Sequence, residues 1–344
     1  MNKSLHQEIN IDNLALIRVF ALVLVVLRHS FAPFMGLWNL PDIYPNSEIT
    51  QIIGKYISTI SMPLYVFISG VLFSFLRNKL HKYETFQILI KKKTKRLVIP
   101  YLFFAPIYIY LFIPFKTTNE FLFSFFQGAG HLWFLLMIFI VFIIFYLLEN
   151  IFKKYPIKSF LIITACFFLF PGLYYLQLDP LAKAFQYMPY FYFGYFFYYN
   201  SATIFNYLKN KTPILILIHS LVFLLSVWFP SQLSSALYKA LFKGYIILPM
   251  GLLSVSFIFI IFYNISIARY NWLNITITNI NKTSYYIYIL HQPLLIYLYQ
   301  EGYLKYWSPI AIIITSFTVV FLISLILSNF IMKLKLGRKL IGAA

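Results

Sequence analysis

Long apolar stretches, separated by short polar and basic connections, run along the whole chain. A transmembrane helix needs about 20 consecutive, mostly apolar residues. Windows of that size lie at 14–34, 52–76, 97–115, 131–150, 159–177, 184–200, 213–229, 244–263, 283–300 and 308–332. The pattern therefore predicts an all-α membrane protein with about ten transmembrane helices.

The distribution of basic residues predicts the sidedness of these helices, because cytoplasmic loops are enriched in Lys and Arg. With the N-terminus inside, 20 of the 28 Lys and Arg residues fall in inner connections, six in outer ones and two within the first span. Both termini are therefore expected to be cytoplasmic. The connections are short and no internal repeat is visible, so residues 1–344 are interpreted as a single membrane domain.

Composition agrees with lipid as the main surroundings of the chain. Hydrophobic residues make up 61% and charged residues 11%, whereas soluble domains carry about 45–50% and about 25%. The formal net charge of +19 lies in short runs between apolar spans, so nucleic acid is not expected as a partner. The single cysteine, Cys166, allows neither an intramolecular disulfide nor a cysteine metal site, and no metal is expected.

The first span carries three ionisable side chains, Arg18, Arg28 and His29. A charge within the hydrocarbon costs roughly 2.5–3.5 kcal/mol on insertion scales, so such residues indicate function. Arg18 and His29 are eleven residues apart, which on a helix separates them by about 20° in azimuth and about 16 Å in height. They are expected to line one face, where a long ligand entering from the cytosol would place its anionic end at Arg18 and its reactive end at His29.

Each of these residues also has a structural interpretation. Arg18 could extend its charge to the inner membrane surface, and His29 could be a hydrogen-bonded core histidine. Arg28 lies about 100° from His29 around the helix, so it fits the stripe less well and is expected to pair elsewhere or to reach outward. The basic connection 77–96 either sets topology or binds a polyanionic ligand from the cytosol, and the two roles can coexist.

Further polar residues recur within or beside other spans. Ser69 precedes Gly70 in the second span, where small residues also favour close helix packing. His291 lies in the middle of the ninth span. His131 and Trp133 open the fourth span, where an aromatic belt at the membrane surface is the structural alternative to contact with a substrate.

These motifs, in this order, resemble the membrane-bound acyltransferase family 3, whose members attach acyl groups to cell-surface polysaccharides. The family pattern of an Arg, ten residues and a His is matched by Arg18 and His29. Further matches are Ser69–Gly70, a basic pair formed by Lys93 and Arg96, Trp133, the segment 191–195 and the segment 288–293. Two positions depart from the pattern. Ala15 stands where many members have an acidic residue, and Lys93 replaces the first Arg of the basic pair.

The resemblance implies an O-acyltransferase similar to that of enterobacterial common antigen and to the intercellular-adhesin modifying proteins. It implies acyl-CoA, most often acetyl-CoA, as the cytosolic donor, and a glycan or lipid-linked saccharide as the acceptor, in a bacterial cytoplasmic membrane. In this scheme His29 is the general base, and the donor contacts Arg18, Lys93, Arg96 and Ser69. The acceptor is expected near His291, His131 and Trp133. The competing hypothesis is a transporter or flippase that uses the same polar stripe as a path for a glycan intermediate.

Overall fold

The computed structural model describes residues 11–38, 40–45, 47–229, 236–263, 265 and 270–342, except for the side chains of residues 11–12 and 236–244. Within these ranges every regular element is helical and no strand occurs, which confirms the all-α prediction. Lys3 and Arg269, which the sidedness count assigns to the inner side, lie outside the described residues.

Fourteen α-helices are described, and two π-helical turns and two 3₁₀ turns connect or extend some of them. The helices are α1 (Ile11–Ser30), α2 (Glu48–Ser74), α3 (Phe86–Lys93), α4 (Ile99–Phe112), α5 (Thr118–Phe126), α6 (Trp133–Lys154), α7 (Pro156–Phe167), α8 (Phe170–Tyr175), α9 (Asp179–Leu208), α10 (Thr212–Trp228), α11 (Ala236–Tyr263), α12 (Asn271–Gln300), α13 (Pro309–Lys333) and α14 (Lys335–Leu340). The π-helical turns are Phe75–Lys79 and Thr94–Val98, and the 3₁₀ turns are Ala32–Met35 and Gly130–Leu132.

Seven helical segments among the described residues are long and apolar enough to cross a membrane. An eighth results if α9 and α10, which meet at an angle of 95°, form one broken span. The chain is thus a multi-pass membrane protein, while the number ten and the sides of the termini remain predictions. Helix α12 is not among the seven, because the window 283–300 is rich in Tyr and includes His291 and Gln292.

The chain divides into two compact units. The described residues of Met1–Val25, Lys55–Leu80 and Tyr190–Lys282 form the first unit. The described residues of Val26–Gly54, His81–Pro189 and Thr283–Ala344 form the second unit.

Helices α2 and α9 cross at close range in the first unit. A Cβ atom built on Gly70 would lie 2.1 Å from the carbonyl oxygen of Phe191, and one built on Gly194 would lie 2.1 Å from that of Phe67. The absence of side chains at both glycines therefore permits the backbones to touch. Two of the motifs that carry the family resemblance, Ser69–Gly70 and the segment 191–195, meet at this crossing.

Candidate functional site

Two histidines from helices far apart in sequence form a hydrogen-bonded pair in the second unit. His29 lies in the last turn of α1, and His291 lies in the middle of α12. The distance from His29 Nδ1 to His291 Nε2 is 2.9 Å. His291 is fully buried, whereas His29 is half-buried. His29, the base predicted from the sequence, thus has a specific partner in His291, which the sequence had also singled out as a site residue.

The partners of His291 fix the direction of this hydrogen bond. His291 Nδ1 lies 2.6 Å from the carbonyl oxygen of Tyr288 and 3.2 Å from that of Ile287. A carbonyl oxygen only accepts, so in neutral His291 the proton is on Nδ1 and Nε2 carries the lone pair. His29 must then donate from Nδ1. Neutral His29 therefore keeps its lone pair on Nε2, the form required of a general base.

A proline in α12 explains how a third histidine joins this pair. Pro293 lies within the helix and has no N–H group, so the carbonyl oxygen of Ile289, four residues earlier, lacks its helical donor. His131 Nε2 lies 3.0 Å from that oxygen and supplies the donor. The Tyr288 hydroxyl in turn donates to the His131 carbonyl oxygen. The rings of His131 and His291 have centroids 5.2 Å apart, so His131 lies next to the histidine pair.

The turn before α6 places His131 in the buried position. Three successive residues, 128–130, have positive φ angles of 108°, 41° and 60°. Two of the three are glycines, which adopt this backbone without steric cost. The 3₁₀ turn Gly130–Leu132 follows directly and leads into α6 at Trp133. The sequence therefore builds a sharp turn whose first side chain beyond the glycines is the imidazole of His131.

Two buried hydrogen-bond acceptors beside the histidines have no partner among the described residues. One is Nδ1 of His131, which carries a lone pair because Nε2 donates to Ile289. The other is Oε1 of Gln292, whose amide nitrogen lies 2.8 Å from the Tyr108 hydroxyl. Burying an acceptor without a partner costs about 1–3 kcal/mol. Both atoms are therefore suited to a ligand that offers hydroxyl donors.

Trp133 and Arg28 lie in the same unit as the histidines. The Trp133 ring stacks on that of Tyr187, with centroids 5.7 Å apart. The Arg28 charge interacts with Tyr187 and with His291. Arg28 thus interacts with side chains of other helices, as its azimuth on α1 predicted.

Lys93 and Arg96 are the predicted donor-binding pair. Lys93 ends α3 and Arg96 lies within the π-helical turn between α3 and α4, also in the second unit. The Lys93 ammonium lies 3.3 Å from the centroid of the Phe142 ring, and its side chain is half-buried. Arg96 is exposed, and its carbonyl oxygen accepts a hydrogen bond of 2.7 Å from the Tyr285 hydroxyl. This backbone anchor fixes the position from which the Arg96 side chain extends.

Arg18 and Ser69 both interact with Tyr65 of α2 in the first unit. The Arg18 side chain hydrogen-bonds the Tyr65 side chain. The Ser69 hydroxyl donates to the Tyr65 carbonyl oxygen at 3.0 Å. The sequence identified no acidic partner for Arg18, and the structure places the Tyr65 phenol in contact with it. Arg18 and His29 lie on one helix, eleven residues apart, as the spacing predicted.

Several residues of this arrangement were missed from the sequence. Tyr187 carried no signal of its own among many aromatic residues, and Tyr288 and Gln292 were noted only as part of the matched segment 288–293, without a role. One signal was available, since Pro293 inside a helix frees the carbonyl four residues earlier. Among the described residues no cluster of three or more His, Cys, Asp or Glu side chains is placed to hold a metal ion.

The comparison with protein families matches residues 11–329 to the family 3 acyltransferase domain. A search of curated proteins and a search of solved structures each found no match. The matched range contains the histidine pair, His131 and Trp133, together with Arg18, Ser69, Lys93 and Arg96. The family match thus spans nearly all of the chain and every residue of the candidate site, and the chain belongs to the acyltransferase family 3.

Proposed function

We propose that this acyltransferase transfers an acyl group, with acetyl as the first candidate, from acyl-CoA to a hydroxyl group of a glycan. The hydrogen bond of 2.9 Å between His29 and His291 carries the proposal. It orients His29 and leaves the lone pair on Nε2, which suits proton abstraction from a hydroxyl. A neutral imidazole can take up a proton at this nitrogen and return it within one turnover.

In the proposed reaction the acceptor hydroxyl loses its proton to His29 Nε2 as its oxygen attacks the thioester carbonyl carbon. A new C–O bond forms, the tetrahedral intermediate collapses and the C–S bond breaks. The proton on His29 then passes to the departing CoA sulfur. The products are an O-acyl ester and CoA, and neutral His29 is restored. His291 would stabilise the transient imidazolium by accepting from its Nδ1–H.

The donor would be bound by the cationic residues that the sequence singled out. Arg96 is exposed and Lys93 half-buried at the turn between α3 and α4, where cationic side chains suit the phosphates of CoA. Arg18, held by Tyr65, would orient the pantetheine arm or the thioester. Ser69, whose hydroxyl donates to the Tyr65 carbonyl oxygen in the same helix, would complete the donor site as the sequence predicted.

The acceptor would be bound beside the histidine pair. The unpaired acceptor atoms of His131 and Gln292 need hydrogen-bond donors, and the hydroxyl groups of a saccharide supply them. A second hydroxyl held in this way would position the reacting one at His29. Trp133 and His291 complete the predicted acceptor site. We place the reaction in a bacterial cytoplasmic membrane, with a lipid-linked saccharide or a surface polymer as the acceptor.

Analysis of ester groups on the cell-surface glycan tests the proposal in cells. Glycan from cells with the wild-type chain is expected to release acetate on mild alkaline treatment. Glycan from cells with His29→Asn, expressed and inserted at the same level, is expected to release none. The exposed His81 provides the matched control, and His81→Asn should leave the ester content unchanged. Equal ester content with and without the chain would remove the proposed function, and glycan export without CoA consumption would favour a transporter.

A further inference from the structure

A positive side chain that has no carboxylate partner among the described residues lies next to the candidate base. Arg28 precedes His29 on α1 and is half-buried. Among the described residues no Asp or Glu lies within ion-pair distance of Arg28. Its charge instead interacts with the neutral side chains of Tyr187 and His291. A guanidinium in a membrane span costs roughly 2.5–3.5 kcal/mol without compensation, so an anion at this position would be strongly favoured.

A second cation lies against the same aromatic pair. Lys183 Nζ is 4.5 Å from the centroid of the Trp133 ring. Trp133 stacks on Tyr187 with an interplanar angle of 27°. The same two rings therefore meet two cations, since Lys183 lies over Trp133 and the Arg28 charge interacts with Tyr187. Lys183 has one carboxylate nearby, Asp179, at the long distance of 3.8 Å.

The four side chains have the properties of a binding surface. Arg28, Lys183, Trp133 and Tyr187 are all half-buried, so each keeps some accessible area. Two cations and one carboxylate leave the cluster with a net positive charge. Aromatic rings pack against the apolar faces of sugar rings, and guanidinium and ammonium groups bind carboxylates and phosphates. The combination favours a saccharide that carries a negative charge.

We propose that Arg28 and Lys183, together with Trp133 and Tyr187, bind an anionic group of the acyl acceptor. The anion is a carboxylate on the saccharide or the phosphate that joins the saccharide to its lipid carrier. This inference rests on the proposed function. Because Arg28 is adjacent to His29 and faces His291, an anion bound there holds the acceptor within reach of the base. A membrane phospholipid at this position would occupy the space that the acceptor needs.

Direct binding of small probes tests the inference without requiring turnover. The purified chain is placed in nanodiscs of phosphatidylcholine, and saturation-transfer NMR measures the binding of three probes: methyl glucuronide, glucose 1-phosphate and neutral methyl glucoside. We expect at least one anionic probe to bind about tenfold more tightly than the neutral one, which corresponds to one charge-assisted contact. The preferred anionic probe identifies the source of the charge as the saccharide or the phosphate link.

Variants then assign the preference to the cluster. Arg28→Gln and Lys183→Gln should each remove most of this preference, and Arg28→Lys should retain part of it. The exposed Lys158→Gln, outside the candidate binding segments, should leave the preference unchanged. Equal binding of charged and neutral probes, no binding of either anionic probe, or an unchanged preference in Arg28→Gln would each overturn the inference. Discs that contain phosphatidylglycerol test for a phospholipid site. If the preference for anionic probes is lost only in these discs, and Arg28 is needed to bind this lipid, the inference is also overturned.

The same experiment separates this inference from the proposed function. His29→Asn removes the candidate base but leaves the four side chains in place, so it should keep the anionic preference. If the wild-type chain binds anionic sugars through Arg28 but transfers no acyl group to them, the binding site stands and the proposed reaction fails. If acyl transfer proceeds equally well with neutral and anionic acceptors, the reaction stands and the anionic site fails.

Discussion

Replacing His291 by Phe removes the acceptor that holds His29 in one tautomer. Phe is of similar size to His, so the fully buried position of His291 remains filled. The matched variant His291→Gln keeps an acceptor oxygen close to the position of the imidazole Nε2. The two variants therefore differ in whether the Nδ1–H of His29, which now lies 2.9 Å from His291 Nε2, still has a partner.

In the proposed reaction His29 becomes positively charged during transfer, and this charge sets the size of the effect. When His29 takes the acceptor proton, its Nδ1–H bond to His291 becomes charge-assisted. Hydrogen bonds to charged groups contribute about 1.5–3 kcal/mol, which is about 10- to 150-fold in rate. We expect kcat to fall by that factor in His291→Phe, while KM for acetyl-CoA changes little. His291→Gln should retain activity within about tenfold of wild type.

Two assays check this prediction. Release of CoA thiol from acetyl-CoA, measured with the purified chain in nanodiscs, gives kcat and KM. NMR spectra of ¹⁵N-labelled histidine read the tautomer directly, since protonated and unprotonated ring nitrogens have distinct shifts. The wild-type His29 signal should show a proton on Nδ1, and His291→Phe should shift the population toward Nε2–H. Wild-type kcat in His291→Phe, or a proton on Nε2 of His29 in the unmodified chain, would refute the reasoning.

Other parts of the structure give further predictions. Gly70→Ala should destabilise the chain by about 1–3 kcal/mol, because the added Cβ would lie 2.1 Å from a backbone oxygen. Thermal unfolding compares this variant with Gly172→Ala, whose added Cβ meets nothing within 4 Å. Equal unfolding midpoints of the two variants would contradict the prediction. Arg18→Gln should raise KM for acetyl-CoA about tenfold or more, and Tyr65→Phe should raise it less; unchanged donor affinity in Arg18→Gln would remove Arg18 from the donor site. His131→Phe should raise KM for the acceptor more than KM for acetyl-CoA, and equal changes would mean that His131 only supports the fold.

The local features of the site were predictable from the sequence because they depend on helix geometry. The spacing of Arg18 and His29 fixes their height and azimuth on α1, and the structure confirms one helix from Ile11 to Ser30. The predicted span 131–150 also begins within two residues of the start of α6 at Trp133. Such features need only the chain within a few turns, so periodicity is enough to find them.

The pairing of the histidines could not be predicted in the same way. His29 and His291 are separated by 262 positions, and His131 contacts a carbonyl 158 positions away. Which helices are neighbours depends on packing between distant segments, and no periodic pattern encodes it. Helix α12 was also harder to classify, because the residues that build the site, His291 and Gln292 among them, make the helix less apolar than a typical span.

The most direct measurement follows labelled acetyl groups from [¹⁴C-acetyl]-CoA to glycan acceptor with purified chain in nanodiscs. The account predicts one CoA thiol released for each ester formed, and a loss of both by about a hundredfold or more when His29 is replaced by Asn, as expected for removal of a general base. His81→Asn should retain wild-type rates. Ester formation at the wild-type rate by a folded, membrane-inserted His29→Asn chain would contradict the assignment of His29 as the catalytic base.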